Sequence, residues 1–343
     1  MNFSALEVSK EWQLQEILFC LAINPNNDQL WFGSSDSKIY QQSISNEDSE
    51  RISYGESGHS SYVTGMVIAG DTLISCGYDK KLIWWDTHSH EPIRNIAAHD
   101  KWIRRICVTP DGRLFSVGDD MQCRVWDLKS GDLIASFSDH AATTPHHFPS
   151  MLYALALSDD GSSLATGDRV GHVAIWDSHS FEKRAEIKTP DLYTWDPKQR
   201  RHSIGGIRCL SFSPDGTKMA VGGMGKVGNI DHLDGASRIE IFEIGTAERL
   251  QMIEDAKHKG LVEQLRWSPD GKFIVSAGGD HKGFIAFHET ETGKQVHVVE
   301  HSGHIHGLHV NFQTETMFTA AHQRLAKWSF GQPQETAETT PTS

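Results

Sequence analysis

One phrase recurs along the chain at nearly regular intervals. It reads Ile83-Trp84-Trp85-Asp86, Val125-Trp126-Asp127 and Ile175-Trp176-Asp177, with weaker copies at Ile241-Phe242-Glu243, Ala286-Phe287-His288 and Lys327-Trp328-Ser329. Apolar runs and tight turns precede the copies, such as Thr-Pro-Asp-Gly at 109–112, Ser-Asp-Asp-Gly at 158–161, and Ser-Pro-Asp-Gly at 213–216 and 268–271. A fixed period of this kind means one small unit stacked on itself, because a single unit cannot bury its own apolar faces.

Aligned on the aromatic position, the copies fall at Gln42, Trp85, Trp126, Trp176, Phe242, Phe287 and Trp328, with spacings of 43, 41, 50, 66, 45 and 41 residues. Within each copy three short apolar runs precede the Trp-Asp position and one follows it, separated by Gly and Asp turns, as short antiparallel strands require. In a Pro-Asp-Gly turn, Pro presets φ at the first corner and Gly takes the left-handed position that closes a hairpin with a bulge. A unit of roughly 40–45 residues carrying Trp-Asp is the signature of a four-stranded propeller blade. The expected fold is therefore all-β: a seven-bladed β-propeller of four-stranded antiparallel blades. The last copy lacks a fourth strand, and the segment Phe3 to Trp12 has no place in the first. The N-terminal segment is expected to complete the last blade and close the ring without an open edge.

The repeat argues for one domain over residues 1–330, followed by a Thr/Glu/Pro tail, 331–343, expected to be disordered. No stretch approaches the ~20 apolar residues that cross a bilayer. Glu7, Lys10 and Glu11 fall where a signal peptide would carry its apolar core, so a cytoplasmic protein is expected. The net charge is −13 with neutral histidines and the basic residues are scattered, which argues against nucleic acid as a partner. The five cysteines (Cys20, Cys76, Cys107, Cys123, Cys209) form no CxxC pair and sit in or beside apolar runs, as reduced core residues do.

With these features the chain resembles the WD-repeat β-propeller family over about residues 3–330. The resemblance implies a hydrogen-bonded quartet in each good blade: a His before the first strand, a Ser or Thr in the second, an Asp in the next turn and the Trp of the third. By position the second copy offers His59, Ser75, Asp79 and Trp85, and the third offers His99, Ser116, Asp120 and Trp126. The fourth has His140, Thr166 and Trp176, but Val170 where the Asp is expected. The sixth has His258, Ser276 and Asp280, with Phe287 lacking an N–H. Copies one, five and seven keep little of the pattern.

The long spacings locate the candidate binding surface. The fourth copy is preceded by an enlarged loop, about 138–150, with His146, His147 and Phe148. The fifth is preceded by another, about 189–205, with Tyr193, Trp195, Arg200, Arg201 and His202, and it contains an enlarged turn, about 222–237, with Met224, Lys226, Asp231, His232 and Asp234. In the family such connections open on one face, the top. Long loops on a rigid scaffold commonly carry binding residues, and Trp, Tyr, Arg and Met are enriched at interface centres. Trp102, just after His99, is a further candidate for the top rim or for packing between blades.

Catalytic motifs are absent: no Gly-x-Ser-x-Gly elbow, no Walker loop, no His-Glu-x-x-His. The expectation is a non-enzymatic scaffold that binds another protein or peptide through the top face near blades four and five. It needs no cofactor, metal, nucleic acid or membrane, and stands as a monomer or as part of a larger complex. The alternative is a metal-dependent hydrolase or lyase using His146, His147, His202, Asp231, His232 and Asp234, although their spacing matches no ligand motif. His301, His304 and His306 are assigned to ordinary turns. A cullin-type ubiquitin ligase receptor would carry Arg two residues after Trp-Asp, where this chain has His88, Lys129 and His179.

Overall fold

The computed structural model describes residues 2–24, 28–54, 58–198 and 201–331. Arg200 and the tail from 332 onward, named above as a candidate contact and as a disordered segment, lie outside the described residues. Among these residues no helix is long and apolar enough to cross a membrane.

The Asp-Gly turns set the local structure. Gly216 adopts φ +71° and donates its N–H to the Ser213 carbonyl at 2.9 Å, while the Asp215 carboxylate accepts from the Thr217 N–H at 3.0 Å. Gly271 repeats the turn with φ +69°. Closed this way, each copy folds as an antiparallel meander. The third runs Ile103–Val108, Arg113–Gly118, Cys123–Asp127, Leu133–Phe137, and the fourth Leu152–Leu157, Ser163–Asp168, His172–Asp177, Lys183–Lys188. The second, fifth and sixth copies form four-stranded sheets of the same order. In every one the two central strands are buried while the fourth is largely wet, so the ring has an apolar interior and a polar rim.

The first and last copies depart from the expected count. They share one six-stranded sheet in the order Ile305–Asn311, Thr316–Phe330, Leu6–Asn24, Gln29–Ser34, Ile39–Ser43, Ile52–Ser53. Among the described residues six sheets of four or more strands therefore surround the axis, not the seven separate blades expected. The cause is Leu6–Asn24, a single 19-residue strand. Its first half pairs with the chain's end (Leu6 with Phe330, Trp12 with Leu325), and its second half pairs with Gln29–Ser34. Phe3 extends the junction by stacking on Phe287 at 4.6 Å and meeting Phe273 at 4.9 Å.

Apolar clusters fill the spaces between neighbouring sheets. Ile74, Leu82 and Trp84 of the second copy pack on Ile103, Leu114 and Trp126 of the third, and Phe115 and Val125 of the third on Leu164 and Trp176 of the fourth. All five cysteines are free; four are buried and Cys107 is half-buried. Burial pushes the Cys20 thiol up to about 12, which leaves it unreactive.

Candidate functional site

The quartets fix the inner edges from which any site must be built. In the second copy Trp85 donates its indole N–H to Ser75 Oγ (2.8 Å), Ser75 meets His59 Nε2 (2.7 Å), and His59 Nδ1 meets the Asp79 carboxylate (2.9 Å). The third copy repeats this through Trp126, Ser116, His99 and Asp120 at 2.9, 2.7 and 2.9 Å. Donation to an ionised carboxylate places the His proton on Nδ1 and leaves Nε2 to accept from the hydroxyl, so every buried polar group is satisfied. Burial raises the Asp79 and Asp120 carboxyls, but the histidine hydrogen bonds more than offset it and hold both below the usual range. Burial lowers His99.

Two quartet expectations are corrected. In the fourth copy the missing Asp is supplied by Asp168, at the end of the second strand, whose Oδ2 lies 3.0 Å from His140 Nδ1; Val170 is not the relevant position. Trp176 and His140 then meet Thr166 Oγ1 at 3.0 and 2.8 Å, so this quartet is complete. In the sixth copy no quartet forms. His258 turns to Asp255 (2.7 Å), Ser276 bonds the Ala286 carbonyl, and the Asp280 carbonyl accepts from His304.

The inner strands share a feature that sequence reading missed. Their pairing with the next strand slips by one residue: between Leu18 and Cys20, Val63 and Gly65, Leu152 and Ala154, Val262 and Gln264, and Ile305 and Gly307. In the third copy the slip falls opposite Val117 and Gly118, at Arg104. A bulge re-aims one side chain, here toward the axis. The residues so turned, Phe19, Thr64, Arg104, Tyr153, Glu263 and His306, line one cavity of about 330 Å³, and Arg208 from the fifth copy joins them. Phe19, Thr64, Arg104, Tyr153, Glu263 and His306 share no chemistry. Only their common place in the repeat could have flagged them.

Arg104 and Arg208 dominate this mouth. Arg104 donates to both Asp119 oxygens at 2.7 Å and lies 4.9–5.3 Å from the ring centres of Tyr78, Tyr153 and Trp102. Arg208 sits 4.1 Å from the Tyr153 ring centre. Trp102 is 45 % exposed and stacks on Tyr78 at 4.2 Å. At the far side burial lowers His306 to about 3, leaving it neutral. Burial raises the Glu263 carboxyl, but the His304 contact and the Arg208 charge outweigh it and hold it well below the usual range.

The three enlarged segments touch one another beside this mouth. Within the enlarged loop expected at about 189–205, Tyr193–Asp196 pairs antiparallel with His202–Gly205. His146 stacks on Trp195 (4.1 Å, 9° between planes) and its Nδ1 lies 3.0 Å from the Tyr193 hydroxyl, while Phe148 approaches Trp195 at 5.4 Å. The Val227 N–H reaches Thr194 Oγ1 at 3.2 Å, Lys226 pairs with Asp191 at 3.1 Å, and Leu233 lines the mouth itself. His146, Phe148, Tyr193 and Trp195 are half-buried; Arg201 and Asp231 are exposed. Met224 is 0 % exposed in the strand Lys218–Met224, so it serves the core and not a partner. Among the described residues the groups that could hold a metal are His304/His306/His322, His140/Asp168/His172 and Asp139/His172/Glu186. None contains His146, His147, His202, Asp231, His232 or Asp234, the set on which the hydrolase alternative relied.

Comparison with known proteins agrees with this architecture. The WD domain, G-beta repeat family model matches residues 52–86, 90–127 and 196–227, and the Anaphase-promoting complex subunit 4 WD40 domain model matches 237–313. The chain is 26 % identical over 309 residues to the human Apoptotic protease-activating factor 1, covering 88 % of this chain and 22 % of that protein. It is 30 % identical over 187 residues to Protein hir-1 of Neurospora crassa, covering 51 % and 17 %. It is also 30 % identical over 136 residues to the Nuclear distribution protein PAC1-2 of Uncinocarpus reesii, covering 34 % and 28 %. The chain thus spans less than a third of the length of each of these relatives. With the repeat, the meander sheets and the quartets, these matches establish that the chain belongs to the WD-repeat β-propeller family.

Proposed function

We propose that the protein is a non-enzymatic interaction scaffold that captures a segment of another protein at the end of the ring formed by the channel mouth and the three enlarged segments near copies four and five. The observation that supports this most is the mouth itself. Arg104 and Arg208 are set among Tyr78, Trp102 and Tyr153 in a chain of net charge −13. Arg104 is already paired with Asp119, but Arg208, held against the Tyr153 face, keeps its Nε unpartnered and is ready for a carboxylate. The His146–Trp195–Phe148 stack adds an apolar, rigid shoulder, the kind of surface that anchors interfaces. A segment carrying an acidic residue next to an apolar one fits both parts. Relatives named for apoptotic protease activation and nuclear distribution suit a scaffold, although most of each relative lies beyond the match.

The test is site-specific photo-crosslinking in cells, with the crosslinker placed at Trp102, at Trp195 and, on the far end of the ring, at the exposed His88. Covalent adducts to one common protein from Trp102 and Trp195 and none from His88 are expected. Adducts confined to His88 would move the binding surface to the opposite end.

A further inference from the structure

We propose that His304, His306 and His322 form a binding site for a divalent transition-metal ion of the zinc class, at the channel mouth and with Glu263 facing it. Each of the three histidines offers one ring nitrogen, and these nitrogens lie within 4.8 Å of one another. Two structural elements hold them together. His304 and His306 alternate along the start of one strand, and the His322 N–H is bound to the His304 carbonyl at 3.0 Å. The bulge between Ile305 and Gly307 turns His306 inward.

Buried ring nitrogens without partners and a carboxylate face one another here. His304 Nδ1 lies 3.1 Å from the Asp280 carbonyl oxygen, which can only accept, so the proton sits on Nδ1. His304 Nε2 lies 3.7 Å from Glu263 Oε1, so the carboxylate stands beside this ring nitrogen without hydrogen-bonding it. A carboxylate beside imidazole nitrogens is a donor set that suits a divalent cation. His304 is 4 % exposed, and the Nε2 atoms of both His304 and His306 are buried without a hydrogen-bond partner. Arg105 faces the other Glu263 oxygen, at 3.8 Å, which leaves Oε1 turned toward the histidines.

Imidazole nitrogens with one carboxylate select zinc and its neighbours over calcium or magnesium, which prefer oxygen. A ring N–H held by a backbone carbonyl is the outer-shell contact that orients a metal-bound histidine. Zinc–nitrogen bonds of about 2.0–2.1 Å place ligand nitrogens ~3.4 Å apart in a tetrahedron, so separations within 4.8 Å need to contract by at most about 1.4 Å. That movement is within the reach of side-chain rotation, because His322 is only half-buried.

The experiment uses full-length protein stripped with a chelator and no partner, so its failure leaves the scaffold reading untouched. Zinc sulfate is titrated calorimetrically into the wild type, His306→Ala/His322→Ala, Glu263→Gln and His172→Ala, the last disabling the other two His–carboxylate clusters. Tight binding of one ion per chain is expected in the wild type and in His172→Ala. It should weaken about 10-fold or more in Glu263→Gln and at least ~100-fold in the double variant. Equal zinc binding by wild type and double variant, or none by the wild type, overturns the proposal. If the double variant fails to fold, cobalt(II) added to the wild type decides. Intense visible absorption from a tetrahedral nitrogen-rich site supports the cluster, and the weak spectrum of the aqueous ion refutes it.

Discussion

His140 Nδ1 lies 3.0 Å from Asp168 Oδ2, and Asp168 stands two residues after Thr166, whereas Asp79 stands four after Ser75. The same hydrogen-bonded role is thus filled from a different place in the chain. Asp168 also accepts from the Val170 and His172 N–H groups at 3.0 Å, so it organises its turn just as Asp79 does through Ser60 and Lys81.

Trp126→Phe and Trp176→Phe should therefore destabilise the protein equally. Each keeps the buried ring and removes the donor to Ser116 or Thr166, at a cost of about 1–3 kcal/mol. Denaturant unfolding of both variants measures this. A clearly smaller loss for Trp176→Phe would mean that the Asp168 contact does not complete the fourth quartet.

Deleting residues 1–13 removes the strand half that pairs with Arg324–Phe330 and strips Phe3 from Phe287. It exposes strand edges and apolar faces at the point where the ring closes, so aggregation or a large fall in Tm is expected. A soluble truncated protein with unchanged Tm would show that closure does not depend on this pairing.

Acid should destabilise the fold through His288, which is 3 % exposed, has neither ring nitrogen hydrogen-bonded, and is lowered by burial to about 4. From pH 6.5 down to 4 the unfolded chain takes up a proton that the native state refuses. Stability present above pH 6.5 is therefore lost across that window, on the order of 3 kcal/mol. His288→Phe should flatten the fall of Tm between pH 6.5 and 4 and be no less stable at pH 7. An unchanged slope would assign the acid sensitivity to other groups.

Trp195→Ala with Arg201→Ala should weaken capture of a partner identified by crosslinking by ~2 kcal/mol or more, about 30-fold, while Tm changes little. Loss of the His146 stack will loosen the hairpin without opening the ring, because Trp195 belongs to no inter-sheet core. Undiminished affinity in the double variant would move the anchor to Trp102 and Arg208.

The sequence by itself determined the repeat, the strand class, the turns and the first two quartets. Those features are local: a Pro-Asp-Gly corner or a Trp-Asp strand end acts within a few residues, and the period exposes it. It also marked the three long segments, since insertions change spacing. What it left open depended on which residues meet across many positions. Asp168 was hidden because the hydrogen bond constrains where a carboxylate lies in space, not its place in the alignment. The fusion of the first and last copies came from one strand long enough to serve both. Met224 resembled an interface residue until its strand carried it inside. The tertiary structure alone turned Arg104, Tyr153, Glu263 and His306 into one mouth. Bulges aim them there whatever their side chains are, so unlike residues from distant copies share a site that no local pattern records.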